Sequence, residues 1–203
     1  LMTLDSVGAL IDVFGFPYPR GINEEDRGQW DDPAPVGFSF GGAMLIRRAL
    51  FEELGGYDPA FFTLVDDIDL SWRVRLLGYT VWVEPGAVLY HRVSATLNTP
   101  SFKRAHRRFL SERNTIRTLL KNYRLLNLLW ILPAHGMLLG GEMLFFLVLR
   151  QWALAGAGWR AVAWNIRRWG ETMRLRREMQ SRRRVGDREI LKMRWRTVGK
   201  WWM

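Results

Sequence analysis

The sequence predicts a mixed α/β fold for its first half and an all-helical second half, on three observations. Up to residue 99, short apolar runs broken by glycine and proline alternate with segments of helical period. From residue 100 onward the apolar residues recur at helical spacing alone. The charge divides at the same place: residues 1–99 carry 7 basic and 14 acidic side chains, and residues 100–203 carry 23 and 6. The expected domains are therefore 1–99 and 100–203.

Residues 1–16 are apolar without firm periodicity and run into Pro17-Tyr18-Pro19-Arg20-Gly21, which reads as a turn and a loop. Residues 22–35 are polar and rich in breakers, the composition of an exposed loop. Val36 to Ile46 alternates small and large residues and predicts a buried strand with a close backbone approach at Gly41 and Gly42. Arg47 to Leu54 predicts a short helix stopped by Gly55-Gly56. A second helix begins at Asp66, with Ile68, Trp72 and Leu76 on one face, Leu70, Val74 and Leu77 beside it, and Gly78 at its end. Tyr79 to Val83 and Ala87 to Tyr90 predict two short strands split by Glu84-Pro85-Gly86.

Thr99-Pro100 marks the boundary, since Thr99 suits a helix cap and Pro100 a first helical turn. Phe102, Ala105, Phe109, Ile116, Leu120 and Tyr123 then repeat at helical spacing among lysines and arginines, predicting a basic amphipathic helix. Leu125 to Leu149 runs without Lys or Arg for long enough to cross a bilayer. Asn127, Pro133, His135 and Glu142 interrupt it, which favours interfacial insertion or re-entry over a clean span. The tail mixes Trp152, Trp159, Trp164, Trp169, Trp195, Trp201 and Trp202 with arginines, the mixture of a head-group boundary.

An apolar fraction of 48% with 11 Trp and 11 Phe argues against a disordered chain. The lack of cysteine excludes disulfides and thiolate metal sites and suits a reducing compartment. Leu1-Met2-Thr3-Leu4-Asp5 lacks the basic and apolar regions of a signal peptide, so translocation is not expected. The net charge of +10 sits in the second half, where it calls for an anionic surface, nucleic acid or lipid head groups; the acidic first half suits a cation or a polyol.

Asp66-Asp67-Ile68-Asp69 gathers three carboxylates in four residues. Asp66 is a good helix N-cap, Asp67 and Asp69 favour the positive end of the helix dipole, and Asp69 can pair with Arg73. The same carboxylates could take a proton from a bound hydroxyl or hold a ligand, and spacing alone leaves a helix start, a site, or both. His91, after Val88-Leu89-Tyr90, is placed either as a structural hydrogen-bonding group or as a ligand at a cleft. Gly41-Gly42-Ala43 matches no phosphate-binding fingerprint, and Arg47-Arg48 reads as a solvated helix start.

Taken in order, Gly41 to Arg48, Phe51-Glu52-Glu53-Leu54-Gly55-Gly56-Tyr57-Asp58, Phe61-Phe62, Asp66 to Arg73, Gly78-Tyr79 and His91 resemble family-two glycosyltransferases of the rhamnosyltransferase-like kind, over about residues 10 to 124. The resemblance implies a GT-A fold and an inverting transfer of sugar from a nucleotide-sugar donor, with dTDP-rhamnose as the family-level lean, to a glycan or lipid-linked acceptor. It implies Asp67 as the catalytic base and Asp66 in place of the more usual Glu of an acidic pair. Gly42, Ala43, Asp69, Trp72 and Arg73 fall on the acceptor side. His91 falls at a metal-ligating position, and Mg²⁺ or Mn²⁺ is the expected cofactor. The family's first half, a Rossmann-like nucleotide-binding region with a metal-holding Asp motif, has no counterpart here. The chain therefore reads as the second half of such a catalytic domain, a fragment or one piece of a split gene.

The implied setting is polysaccharide biosynthesis of the cell envelope, at the cytoplasmic face of the membrane, with peripheral or monotopic attachment to an anionic surface. A nucleic-acid-binding module accounts only for the basic half, and the long apolar run is poor material for reading a groove, so no nucleic acid is expected. A non-catalytic membrane-associated subunit, needing a separate nucleotide-binding half, is the alternative to the enzyme.

Overall fold

The computed structural model describes residues 3–91 and 103–192. The expected cap at Thr99-Pro100, Phe102, Trp195, Trp201 and Trp202 lie outside the described residues. Within them the fold is mixed α/β, and it divides into two compact units. The first comprises residues 3–60, 66–91 and 183–192, so the chain returns to it after the second unit, which is formed by residues 61–65 and 103–182.

In the first unit, β1 (Ala9–Ile11) pairs antiparallel with β2 (Pro17–Pro19) in the register Ala9 to Pro19 and Ile11 to Pro17. Asp12 makes the turn between them, its Oδ1 accepting the N–H groups of Phe14 at 2.8 Å and Phe16 at 2.9 Å. The segment read as a turn at Pro17 is thus the returning strand. A two-stranded edge tolerates prolines because the amides they lack face away from the partner.

A second antiparallel pair joins β3 (Ala34–Val36) to β4 (Val81–Val83). The expected strand from Val36 to Ile46 is not formed beyond this pairing. After the bridge from Phe38 to Ala9, Gly41–Ala43 coil into a single 3-10 turn and Leu45 is fully exposed. The glycines have no side chains to bury against a sheet, and the turn closes with the Ala43 N–H donating to the Phe40 carbonyl at 3.1 Å. Nor is Ala87 to Tyr90 a strand. A turn from Glu84 to Ala87 leaves Val88, Leu89 and Tyr90 exposed.

The helices of this unit begin close to where the sequence places them. α1 (Arg48–Glu53) ends at Gly55 and Gly56, both left-handed. α2 (Asp66–Leu76) ends before Gly78, whose φ is +88°. α2 is the core of the unit, with Ile68, Leu70, Trp72, Val74 and Leu76 all buried. Ser71 Oγ accepts the Ser39 N–H at 3.3 Å, and Arg75 Nη1 donates to the Val36 carbonyl at 2.8 Å, tying the helix to β3 and the loop beyond it. The returning segment carries α7 (Asp187–Leu191) and finishes the far end of α2, since the Arg184 N–H donates to the Leu76 carbonyl at 2.8 Å.

The second unit is a helical bundle of α3 (Arg104–Asn122), α4 (Leu125–Val148), α5 (Trp152–Arg167) and α6 (Trp169–Arg182). α3 forms where a basic amphipathic helix is expected, and part of its basic face is buried. Arg117 is fully buried and donates to Thr172 Oγ1 at 2.9 Å and Glu171 Oε1 at 2.7 Å, while the Lys121 ammonium lies 4.8 Å from the centre of the Phe61 ring. Each cation is buried because an acid, a hydroxyl or a ring replaces the water it loses. α6 satisfies the carbonyls that the end of α3 leaves open: Arg176 reaches Leu120 and Tyr123, and Gln180 reaches Lys121 and Asn122.

α4 is one continuous helix that includes Asn127, Pro133, His135 and Glu142. Asn114 of α3 holds the 61–65 loop, donating to the Thr63 carbonyl at 2.9 Å and the Leu64 carbonyl at 2.7 Å. Leu64 and Val65 both sit at positive φ, +69° and +68°, a conformation that is costly for a β-branched residue and survives only where neighbours impose it.

Candidate active site

The first turn of α2 supplies the candidate site. Asp66 and Asp67 open the helix half-buried, where the unpaired N–H groups of a helix start favour carboxylates. Asp67 is held at both oxygens. Its Oδ2 accepts the Gly41 N–H at 3.0 Å, from the 3-10 turn 26 residues earlier, and its Oδ1 accepts the Ile68 N–H at 2.8 Å. Gly41, Gly42 and Ala43 are exposed beside it, so the carboxylate lies next to bare backbone at the surface of the unit.

Burial raises the Asp67 carboxyl above its ordinary range; the Gly41 N–H pulls it back, and the charge of Asp66 pushes it up again. Asp66 is raised chiefly by burial, partly offset by its own backbone N–H, with the charge of Asp69 adding to the rise. Two neighbouring carboxylates that each resist ionising make a better proton acceptor than an exposed one, because basicity rises with pKa.

Folding stability responds in a definite sense. The folded state holds the Asp66 proton more tightly than the unfolded chain does, so the cost is absent below the unfolded carboxylate value near about 4 and grows as pH rises through the folded value. Asp66→Asn, which keeps the size of the side chain, is expected to melt higher than the native protein at about pH 7 and at the same temperature near pH ~3. Thermal denaturation at the two pH values checks this; an equal gap at both would remove ionisation as its cause.

Tyr57 completes the cluster and is the residue that sequence reasoning did not single out. Its phenol is raised first by burial and then by the charges of Asp66 and Asp67, which places it within electrostatic reach of both. Its ring stands edge-on to Phe51, centroids 5.6 Å apart, and its hydroxyl lies 3.9 Å from Met44 Sδ. Gly56 makes this possible: its φ is +69°, and a Cβ there would meet the Phe51 ring at 3.2 Å. A tyrosine directly after a Gly-Gly helix stop was the available signal.

The remaining expected site residues fall elsewhere. Asp69, Trp72 and Arg73 are buried in the core rather than set beside Asp66 and Asp67 on the open turn. Arg73 spreads its guanidinium over three acceptors: Asp69 Oδ2 at 2.8 Å, the Leu54 carbonyl at 2.9 Å and the Gly56 carbonyl at 2.8 Å. It thereby fixes the turn that carries Tyr57. His91 bonds through Nδ1 to Asp5 Oδ2 at 2.9 Å, both side chains about half exposed. Among the described residues no three His, Asp or Glu side chains converge as a metal site, so this constellation does not by itself fit a divalent cation.

Over 87 residues, 40% of its length, the chain is 34% identical to the N-acetylglucosaminyl-diphospho-decaprenol L-rhamnosyltransferase of Mycobacterium tuberculosis strain CDC 1551 / Oshkosh, and equally to the protein of that name in strain ATCC 25618 / H37Rv. The chain spans 28% of the length of each of these relatives. No family model matches the chain, and no solved structure matches it significantly.

Proposed function

We propose that this chain carries the acceptor side of an inverting, family-two glycosyltransferase with a GT-A catalytic domain, and that Asp67 is its general base. The observation that carries the reading is the seating of Asp67: a half-buried carboxylate, fixed by two backbone N–H groups, raised in pKa, beside an exposed glycine turn. The partial similarity to a rhamnosyltransferase supports glycosyl transfer at the coarse level.

Asp67 takes the proton of the acceptor hydroxyl as that oxygen attacks the anomeric carbon of a nucleotide-sugar. The new C–O bond forms on the face opposite the breaking one, and the nucleoside diphosphate leaves with the bonding electron pair, which inverts the anomeric configuration. Asp66 keeps the base poised by repulsion, and the Tyr57 hydroxyl is placed to hydrogen-bond a sugar oxygen. Both carboxylates repel the departing diphosphate, so the donor enters from the side away from them.

The acceptor is a lipid-linked diphospho-sugar and the donor a nucleotide-sugar, dTDP-rhamnose by preference; the acceptor class is taken from the relative's name. Incubating the complete enzyme with dTDP-rhamnose and polyprenyl-diphospho-N-acetylglucosamine is expected to yield a rhamnosylated lipid of inverted configuration by NMR. A retained configuration would overturn the single displacement. No transfer from a panel of nucleotide-sugars would overturn the glycosyltransferase reading.

A further inference from the structure

α4 has its polarity the wrong way round for a helix in water. Leu126, Leu129, Trp130, Met137, Leu144 and Val148 are all exposed and lie on one face, with Pro133 and three glycines between them and no charged side chain among them. Its polar side chains are on the other side: His135 is buried with Nε2 3.8 Å from Glu112 Oε2, and Glu142, half-buried, accepts from Arg108 Nη2 at 2.6 Å. A helix at a water-facing surface shows the opposite arrangement. Ionisable groups turned toward the protein with hydrocarbon turned outward is the pattern of a helix whose solvent is lipid.

We propose that α4 lies in the plane of an anionic phospholipid bilayer, with its apolar face immersed below the head groups and its polar face against the helical bundle. At about 1.5 Å per residue its 24 residues extend about 36 Å, which is also enough to cross a hydrocarbon core of about 30 Å. The partners of its inner face decide for the in-plane orientation. A crossing helix would carry Arg108 and Glu112 of α3 to hydrocarbon depth, whereas a helix lying flat leaves them on the aqueous side. Exposed Arg124 immediately precedes α4 and exposed Arg150 follows it by two residues, at head-group level in this orientation, where each cation gains from anionic lipid. Trp152 and Trp159 of α5, 66% and 65% exposed, have the amphipathic rings that favour the same zone.

The absence of cysteine makes the test direct. Single variants Leu126→Cys, Met137→Cys and Leu144→Cys of the full chain, labelled with a polarity-sensitive fluorophore, are mixed with vesicles of phosphatidylcholine and phosphatidylglycerol. All three probes are expected to shift to the blue and to be quenched at one shallow depth by brominated lipids. Shallow ends with a deep centre would mean a crossing helix and overturn the orientation. Probes unaffected by vesicles, or buried without them in a dimer of this chain, would overturn the lipid partner. L129D/M137D/L144D, with unchanged circular dichroism, is expected to float with vesicles at least about tenfold more weakly; equal flotation would overturn the proposal as well.

Discussion

Asp67→Asn is expected to lower the turnover of the complete enzyme by about 10²- to 10⁴-fold, the usual worth of general-base catalysis. The substitution keeps the size of the side chain and one accepting oxygen, so one of the two backbone bonds from Gly41 and Ile68 survives, and the helix start stays intact. What it removes is the acceptor of the proton. Donor affinity is therefore expected to hold while kcat falls, which separates a lost base from a lost binding contact. The native rate should rise with pH through a limb displaced above the ordinary carboxylate range, because Asp67 acts only when ionised and burial resists that ionisation. In the variant this limb should vanish. Steady-state kinetics across pH make the comparison, and near-native turnover would sink the assignment of the base.

Arg73→Ala is expected to cost the first unit about 3–5 kcal/mol, the range for stripping one partner from a buried ion pair. Asp69, fully buried, would lose its ion-pair partner, and the carbonyls of Leu54 and Gly56 would each lose a donor. Arg73→Lys should recover little, since an ammonium cannot serve three acceptors with the planar fork of a guanidinium. Asp69→Asn combined with Arg73→Met should be less damaging than Arg73→Ala alone, because it removes the buried carboxylate charge that has lost its ion pair and keeps the packed stem. Chemical denaturation of the four proteins tests the point. If the double variant proved the least stable, Arg73 would act through its carbonyl bonds rather than through Asp69.

The sequence was most informative where local rules govern. Acidic first turns, glycine stops and helical periods place α1, α2 and α4 because each depends on residues a few positions apart. It misled where pairing partners decide. Val36 to Ile46 has a strand's alternation, yet β4 offers three residues to pair with, and the remainder coils or lies exposed. The basic face of α3 could not be foreseen as interior, since Glu171, Thr172 and Phe61, which shelter its cations, lie some fifty residues away in either direction.

The candidate site was legible as a cluster and not as an arrangement. Asp66 and Asp67 are evident from spacing. The Gly41 N–H that aims Asp67 and the approach of Tyr57 arise only once separate loops fold against α2. Asp69 and Arg73 could be paired from their four-residue spacing, but nothing in that spacing shows that they are buried.

The bond from Arg184 to the Leu76 carbonyl sets an order on synthesis as well as a shape. The acidic helix leaves the ribosome more than a hundred residues before the segment that finishes its far end. At about 5–20 residues per second that is a wait of roughly 5 to 20 s. The bundle from α3 to α6 emerges meanwhile, and its contacts, closer in sequence, close sooner. Asp67 therefore emerges early, while the far end of the helix that carries it is completed late.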